Sequence, residues 1–149
     1  MVFDEKYFMK MALQQATLAL ENDEVPIGAI VTYNDKIIGK GYNQVEQLKD
    51  VTAHAEMIAL TAAMQAIGAK YLTDCVLYVT LEPCMMCAGA IQHSRIAKIY
   101  YGASDIKSSF SGKLQQFLLQ QHIIGGVMEE ECKSILIDYF KNKRDLSIK

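Results

Sequence analysis

The sequence predicts a three-layer α/β/α sandwich around one mixed sheet, in which an initial antiparallel hairpin is followed by parallel strands. Two observations predict the sheet. Between residues 37 and 101, short apolar runs of strand type alternate with stretches of helical periodicity. A succession of strand, helix, strand, helix, strand implies right-handed crossovers and parallel pairing over that part. Ahead of it, Asn34-Asp35 separates two β-branched runs, which is the pattern of a tight hairpin. A third observation supplies outer layers, because the helices expected at the two ends of the chain each carry an apolar stripe. The length of 149 residues is that of one domain, 1–149, and is enough to bury a full core.

In chain order, Asp4 is the expected N-cap of the first helix, along which Phe8, Met11, Ala12, Ala16, Ala19 and Leu20 recur at helical spacing. The helix stops before Asn22-Asp23-Glu24. Residues 29–31 and 37–38 are the hairpin strands, and a polar loop runs from Gln44 to Thr52. An apolar helix starts at His54, passes through Ile58, Ala59, Ala62, Ala63 and Ala66, and ends at Gly68. Residues 76–79 are a strand that ends at the Pro83-Cys84 turn. The next helix is rich in small residues (Ala88, Gly89, Ala90), which lets it lie close to a neighbour, and residues 96–101 are another strand. The helices begun at His54 and Cys84 start on the same side of the sheet, so the two segments can converge. Residues 102–112 read as a solvated surface loop. Leu114, Phe117 and Leu118 suggest a short helix, and residues 123–127 read as either a stunted edge strand or a turn. Met128, Cys132, Ile135, Leu136, Tyr139 and Phe140 stripe the last helix.

A hydrophobic fraction of 51% with 21% charged residues is that of an ordinary soluble globule. Asp4, Glu5 and Lys6 interrupt the apolar residues of the N-terminus, so it lacks a signal-peptide core, and no apolar run is long enough to span a bilayer. The expectation is a cytoplasmic protein without a membrane partner. A net charge of −2 argues against a general nucleic-acid binder, so any RNA contact needs a local patch. Lys141, Lys143 and Arg144, with Lys149 beyond, form one; the cluster also suits the negative end of a helix, and both readings stand.

The chemistry is concentrated in His54-Ala55-Glu56 and Thr80-Leu81-Glu82-Pro83-Cys84-Met85-Met86-Cys87. Two cysteines three positions apart at a helix start share a face, and the helix N-terminus favours thiolates. Two thiolates and one imidazole give zinc three ligands and leave a fourth position for water, the arrangement of a catalytic rather than a structural site. Glu56, two residues from His54, is placed to handle protons on that water. A lone Cys-x-x-Cys also reads as a redox pair or half a zinc ribbon, but no second Cys-x-x-Cys exists to complete a ribbon. Cys75 and Cys132 lie in apolar surroundings and read as small core residues.

His-x-Glu followed by Pro-Cys-x-x-Cys is the signature of zinc nucleobase deaminases. In these residues, and in Glu24-Val25-Pro26-Ile27-Gly28-Ala29, Gly41-Tyr42-Asn43, Ser94-Arg95-Ile96, Tyr101-Gly102-Ala103, Asp105-Ile106-Lys107 and the tail from Gly126 to Arg144, the chain resembles the bacterial tRNA-specific adenosine deaminases of the cytidine deaminase-like superfamily. The resemblance implies a homodimer that converts adenosine to inosine at the wobble position of a tRNA anticodon loop. It implies one zinc per chain held by His54, Cys84 and Cys87, with Glu56 shuttling the proton. Asn43 matches a residue that contacts the target nucleotide, and the Ala55 backbone one that lies against the base. Asp105 matches a loop position near the RNA backbone, and Phe140 an aromatic of the last helix close to the substrate.

The chain departs from the family pattern in three places. Ser109-Phe110 stands where Gly-Ala is usual, Tyr42 replaces a Trp, and Gln121-His122-Ile123-Ile124 takes the place of an Asn-His-containing segment. Substrate selection is expected at the loop and at the missing segment, and the deletion is expected to shorten or remove the fifth strand. The alternatives are a deaminase of a free base or nucleoside (guanine, cytosine or cytidine), which the acidic charge suits, and a non-catalytic zinc-stabilised module, for which Glu56 would have no purpose.

Overall fold

The computed structural model describes residues 3–148. Helix α1 (Glu5–Glu21) begins at Asp4, whose carboxylate accepts the Tyr7 N–H at 2.9 Å. Its buried stripe is Phe8, Met9, Ala12, Ala16 and Ala19, while Leu20 lies just off the stripe and faces outward. Strands β1 (Gly28–Tyr33) and β2 (Lys36–Tyr42) pair antiparallel. Asn34 and Asp35 both take positive φ, 50° and 61°, as the turn of a two-residue hairpin requires. The segment expected to be plain loop contains one helical turn, α2 (Val45–Leu48). Helix α3 (Ala55–Ile67) runs from His54 to Gly68, which closes it at φ +71°. Then come β3 (Cys75–Leu81), α4 (Met85–Ser94), β4 (Lys98–Ala103), α5 (Leu114–Phe117), β5 (His122–Ile124) and α6 (Glu129–Ile148).

The sheet order is β2-β1-β3-β4-β5. Parallel pairing holds for β3, β4 and β5. It does not hold between β2 and β3, because β1 lies between them and is antiparallel to both. The chain leaves the edge strand β2 and passes through α3 to β3, two places further in. Strand β5 is present and three residues long, so the fifth strand is not removed.

Side-chain alternation divides the core into two layers. Ala29, Val31, Leu77, Val79 and Ile99 face α3 and α4, where they meet Ala59, Leu60, Ala63, Ala88 and Ile91. Ile30 and Tyr78 face the other way, onto Phe8, Met9 and Ala12 of α1 and Cys132 of α6. Cys75 and Cys132 are fully buried, as expected of small apolar residues. Of the small residues in α4, Ala88 is buried, whereas a side chain at Gly89 would meet open space. Close approach is needed instead on β2, where a Cβ at Gly41 would collide with the Ala55 carbonyl and one at Gly39 with that of Ala59. These glycines let α3 lie directly on the strand, which fixes where its first turn sits. Among the described residues no helix is long and apolar enough to cross a membrane.

Candidate active site

Two helix N-termini meet at the end of the sheet. His54 is the N-cap of α3 and Cys84 the N-cap of α4, and the His54 side chain caps no backbone N–H of its helix. They point at each other instead. His54 Nδ1 lies 3.6 Å from Cys84 Sγ and 3.5 Å from Cys87 Sγ, and the three donor atoms all lie within 4.8 Å of one another. Tetrahedral zinc, with bonds of about 2.0–2.1 Å to nitrogen and about 2.3 Å to sulfur, sets N···S separations of about 3.5 Å. The donor set therefore fits zinc as it stands.

The two thiols and the imidazole crowd one another, and each shifts the proton affinity of the others. The Cys87 thiol donates to Cys84, which is held down to about 3 with further help from the His54 ring. The neighbouring Cys84 thiolate, together with burial, pushes Cys87 well above the usual thiol range. His54 is raised by its bond to Cys84. Two positive helix ends and an imidazole thus stabilise anionic sulfur, and metal binding would displace the remaining protons. Glu56, 4% exposed in the first turn of α3, is pushed up to about 7, chiefly by burial. A carboxyl poised near neutrality can both take and give a proton at physiological pH.

Residues 3–103 match the family model described as the cytidine and deoxycytidylate deaminase zinc-binding region. A tRNA-specific adenosine deaminase of Buchnera aphidicola is 47% identical over 149 aligned residues, covering 94% of this chain and 96% of that one. The chain belongs to the tRNA-specific adenosine deaminase family. A solved structure from work on A-to-I editing by tRNA:A34 deaminases at the wobble position of transfer RNA superposes with a TM-score of 0.81 at 42% identity, covering 87% of this chain and 99% of that one. A guanine deaminase structure from Bacillus subtilis gives a TM-score of 0.65 at 37% identity over 68% of this chain and 65% of that one. As a member of the deaminase family the chain is an enzyme with a zinc-binding site, and its likeness in sequence to the tRNA-specific enzymes runs over nearly the full length.

Within this deaminase framework the other expected site residues fall into two groups. Asn43 and Ala55 belong to the centre. Asn43 is 6% exposed, and its Oδ1 accepts the Ala55 N–H at 2.8 Å. The carboxamide thereby does the capping that His54 does not, and ties the end of β2 to the first turn of α3. Asp105 and Phe140 are not among the residues that converge on the donor cluster. Asp105 is half-buried in the loop after β4, and Phe140 is 47% exposed on α6 with its ring edge-on to Tyr139.

Reading the sequence missed two buried carboxylates, Glu24 and Glu82. Glu24, 2% exposed, accepts the N–H groups of Glu46 and Gln47 at 3.1 and 2.7 Å and so fixes the first turn of α2. Glu82, 5% exposed, accepts the N–H of Asp105 at 3.0 Å and of Gly112 at 3.1 Å. The available signal was an acidic residue inside an otherwise apolar motif, which requires a partner if buried. The serine-rich stretch is accordingly no plain solvated connection. Successive turns join Ser108 to Asp105, Ser111 to Ser108 and Lys113 to Phe110, while the half-buried Phe110 meets Phe117 edge-on at 5.9 Å. The departure at Ser109-Phe110 thus gives the loop an apolar anchor.

Proposed function

We propose that this chain hydrolyses adenosine to inosine, with release of ammonia, at the wobble position of a tRNA anticodon. The observation that carries the reading is the convergence of three zinc donors and the buried carboxyl of Glu56 in a chain aligned almost end to end with tRNA-specific adenosine deaminases. His54, Cys84 and Cys87 hold one zinc, and the whole chain, 1–149, works as one domain. When bound, zinc supplies a Lewis acid that brings the pKa of a water near neutrality. With zinc in place, Glu56 would take the proton that such a water gives up and pass it to the ring nitrogen beside the attacked carbon; it would then take the proton of the new hydroxyl and deliver it to the departing amine. Asn43 and the first turn of α3 orient the nucleotide, which must leave its stack to reach the pocket. Asp105 and Phe140 serve the flanking RNA.

The basic cluster supports an RNA substrate. Helix α6 continues to Ile148, so Lys141, Lys143 and Arg144 precede its last turn and are too far from the helix end to be explained by its dipole. Lys143 lies over the Tyr139 ring at 5.6 Å, and Lys149 lies outside the described residues. The enzyme works as a cytoplasmic homodimer. Exposed Met85 on α4 and the open groove of about 440 Å³ between α3 and α4, whose lining mixes apolar Met57, Leu60 and Met64 with polar Thr61, Lys70 and His93, support coverage by a second copy. Incubating the enzyme separately with an anticodon stem-loop, adenosine, cytidine and guanine, and measuring ammonia, tests the reading. Release from guanine or a free nucleoside but not from the stem-loop would replace it with the small-substrate reading. A monomeric mass by light scattering at micromolar concentration would remove the dimer.

A further inference from the structure

We propose that Glu82 is a positioning residue: it locks the loop of residues 104–113 to the turn that carries Cys84, so that the loop's outer edge is presented to RNA beside the zinc pocket. The inference rests on the RNA reading above and adds a residue to it. Leu81 pairs with Ala103 across β3 and β4, and the two strands are parallel. The loop after β4 therefore starts level with the segment that turns into α4, at the strand ends where ligands of parallel sheets collect. Glu82 occupies that junction. Its own N–H donates to the Ala103 carbonyl at 2.8 Å, and its two carboxylate oxygens receive Asp105 near one end of the loop and Gly112 near the other.

A buried carboxylate is costly unless satisfied, and backbone N–H groups from a distant loop satisfy this one. The donor cluster is made of His54, Cys84 and Cys87, and the bonds of Glu82 go to the loop instead. What the bonds achieve is closure: Glu82 draws both ends of the loop to one rigid point while Phe110 is held by Phe117. Between these anchors Lys107 is exposed and Ile106 is 81% exposed, an outward edge of one cation and one apolar side chain. The cation suits a phosphate, and Ile106 offers apolar contact beside it. A loop freed from Glu82 would occupy the competent position only part of the time, and apparent affinity falls by that fraction.

The test uses the zinc-loaded protein with Glu82→Ala and the nearly isosteric Glu82→Gln, which keeps one acceptor and tests the assignment if the alanine variant does not fold. Three readouts are taken: zinc per chain, amide hydrogen exchange at Asp105 and Gly112, and KM and kcat on an anticodon stem-loop. The expected result for Glu82→Ala is full zinc, exchange at both amides faster by about tenfold or more, and KM raised by about tenfold with a smaller change in kcat. Glu82→Gln falls between. Unchanged exchange and KM would overturn the assignment, and so would zinc loss in proportion to activity, since Glu82 would then serve the metal turn. Stem-loop turnover with an unmoved KM overturns the Glu82 role alone. Turnover of a free nucleoside and none of the stem-loop overturns the RNA reading, while the exchange at Asp105 and Gly112 still decides whether Glu82 holds the loop.

Discussion

Replacing Asn43 by Ala should destabilise the protein before any substrate is added. The side chain's Oδ1 is the acceptor for the Ala55 N–H at 2.8 Å, and both residues are buried, Asn43 at 6% exposed and Ala55 at 0%. Truncation leaves a buried helix N–H without a partner, which costs about 1–3 kcal/mol. Loss of a helix cap falls in the same range, at about 0.5–2 kcal/mol. For a chain of this size each kcal/mol moves the midpoint by about 2–4 °C, so thermal unfolding should occur roughly 2–12 °C lower. The assay is a melt of the zinc-free protein, where metal cannot mask the weakened turn, followed by zinc titration of both proteins. His54 opens that same turn, so zinc affinity should fall as well. A wild-type midpoint together with collapsed activity would refute the reasoning and leave Asn43 a contact for substrate alone.

Glu56→Ala should keep zinc and stem-loop affinity yet lose turnover by about a hundredfold to ten-thousandfold, measured by single-turnover kinetics; near-normal turnover would sink the proton-transfer role. Cys87→Ala should release zinc on elemental analysis, whereas Cys75→Ser and Cys132→Ser should retain one zinc per chain, because both thiols are buried in the core away from the donor cluster. Changing Lys141, Lys143 and Arg144 together to Ala should weaken stem-loop binding and flatten its salt dependence, by about 0.7–0.9 in log–log slope for each phosphate that is no longer neutralised. A slope equal to the wild type's would take the cluster out of the RNA interface.

Local signals carried most of the fold. Asp4, Asn34-Asp35 and Gly68 act through bonds or dihedrals within a few residues, so their neighbours in sequence suffice to read them. The three residues that converge were legible for the same reason: Cys84 and Cys87 share one helical turn, and His54 stands at the start of another. What stayed hidden depended on distant partners. Nothing near Ala29 announces its pairing with Val79, so the placement of β1 between β2 and β3 could not be read. Glu82 needed Asp105 and Gly112, and Glu24 needed Glu46 and Gln47, before either carboxylate acquired a purpose. The position of the basic cluster along α6 was equally hidden.

The central position of β1 also orders events in time. Its pairing with β2 closes across a two-residue turn, whereas its pairing with β3 joins residues as far apart as Ala29 and Val79. Closing the longer loop carries the larger entropic cost, so the hairpin forms early and the parallel strands are added to it. Helix α3 rests on β2 through Gly39 and Gly41, which places His54 and Glu56 on the part that can assemble first, also as the chain leaves the ribosome. The thiols arrive with the later half. Val31→Ala, in the hairpin, is then expected to slow refolding, and Ile123→Ala, beneath the last strand, to act mainly by speeding unfolding; the reverse pattern in stopped-flow chevrons would exclude this sequence of assembly.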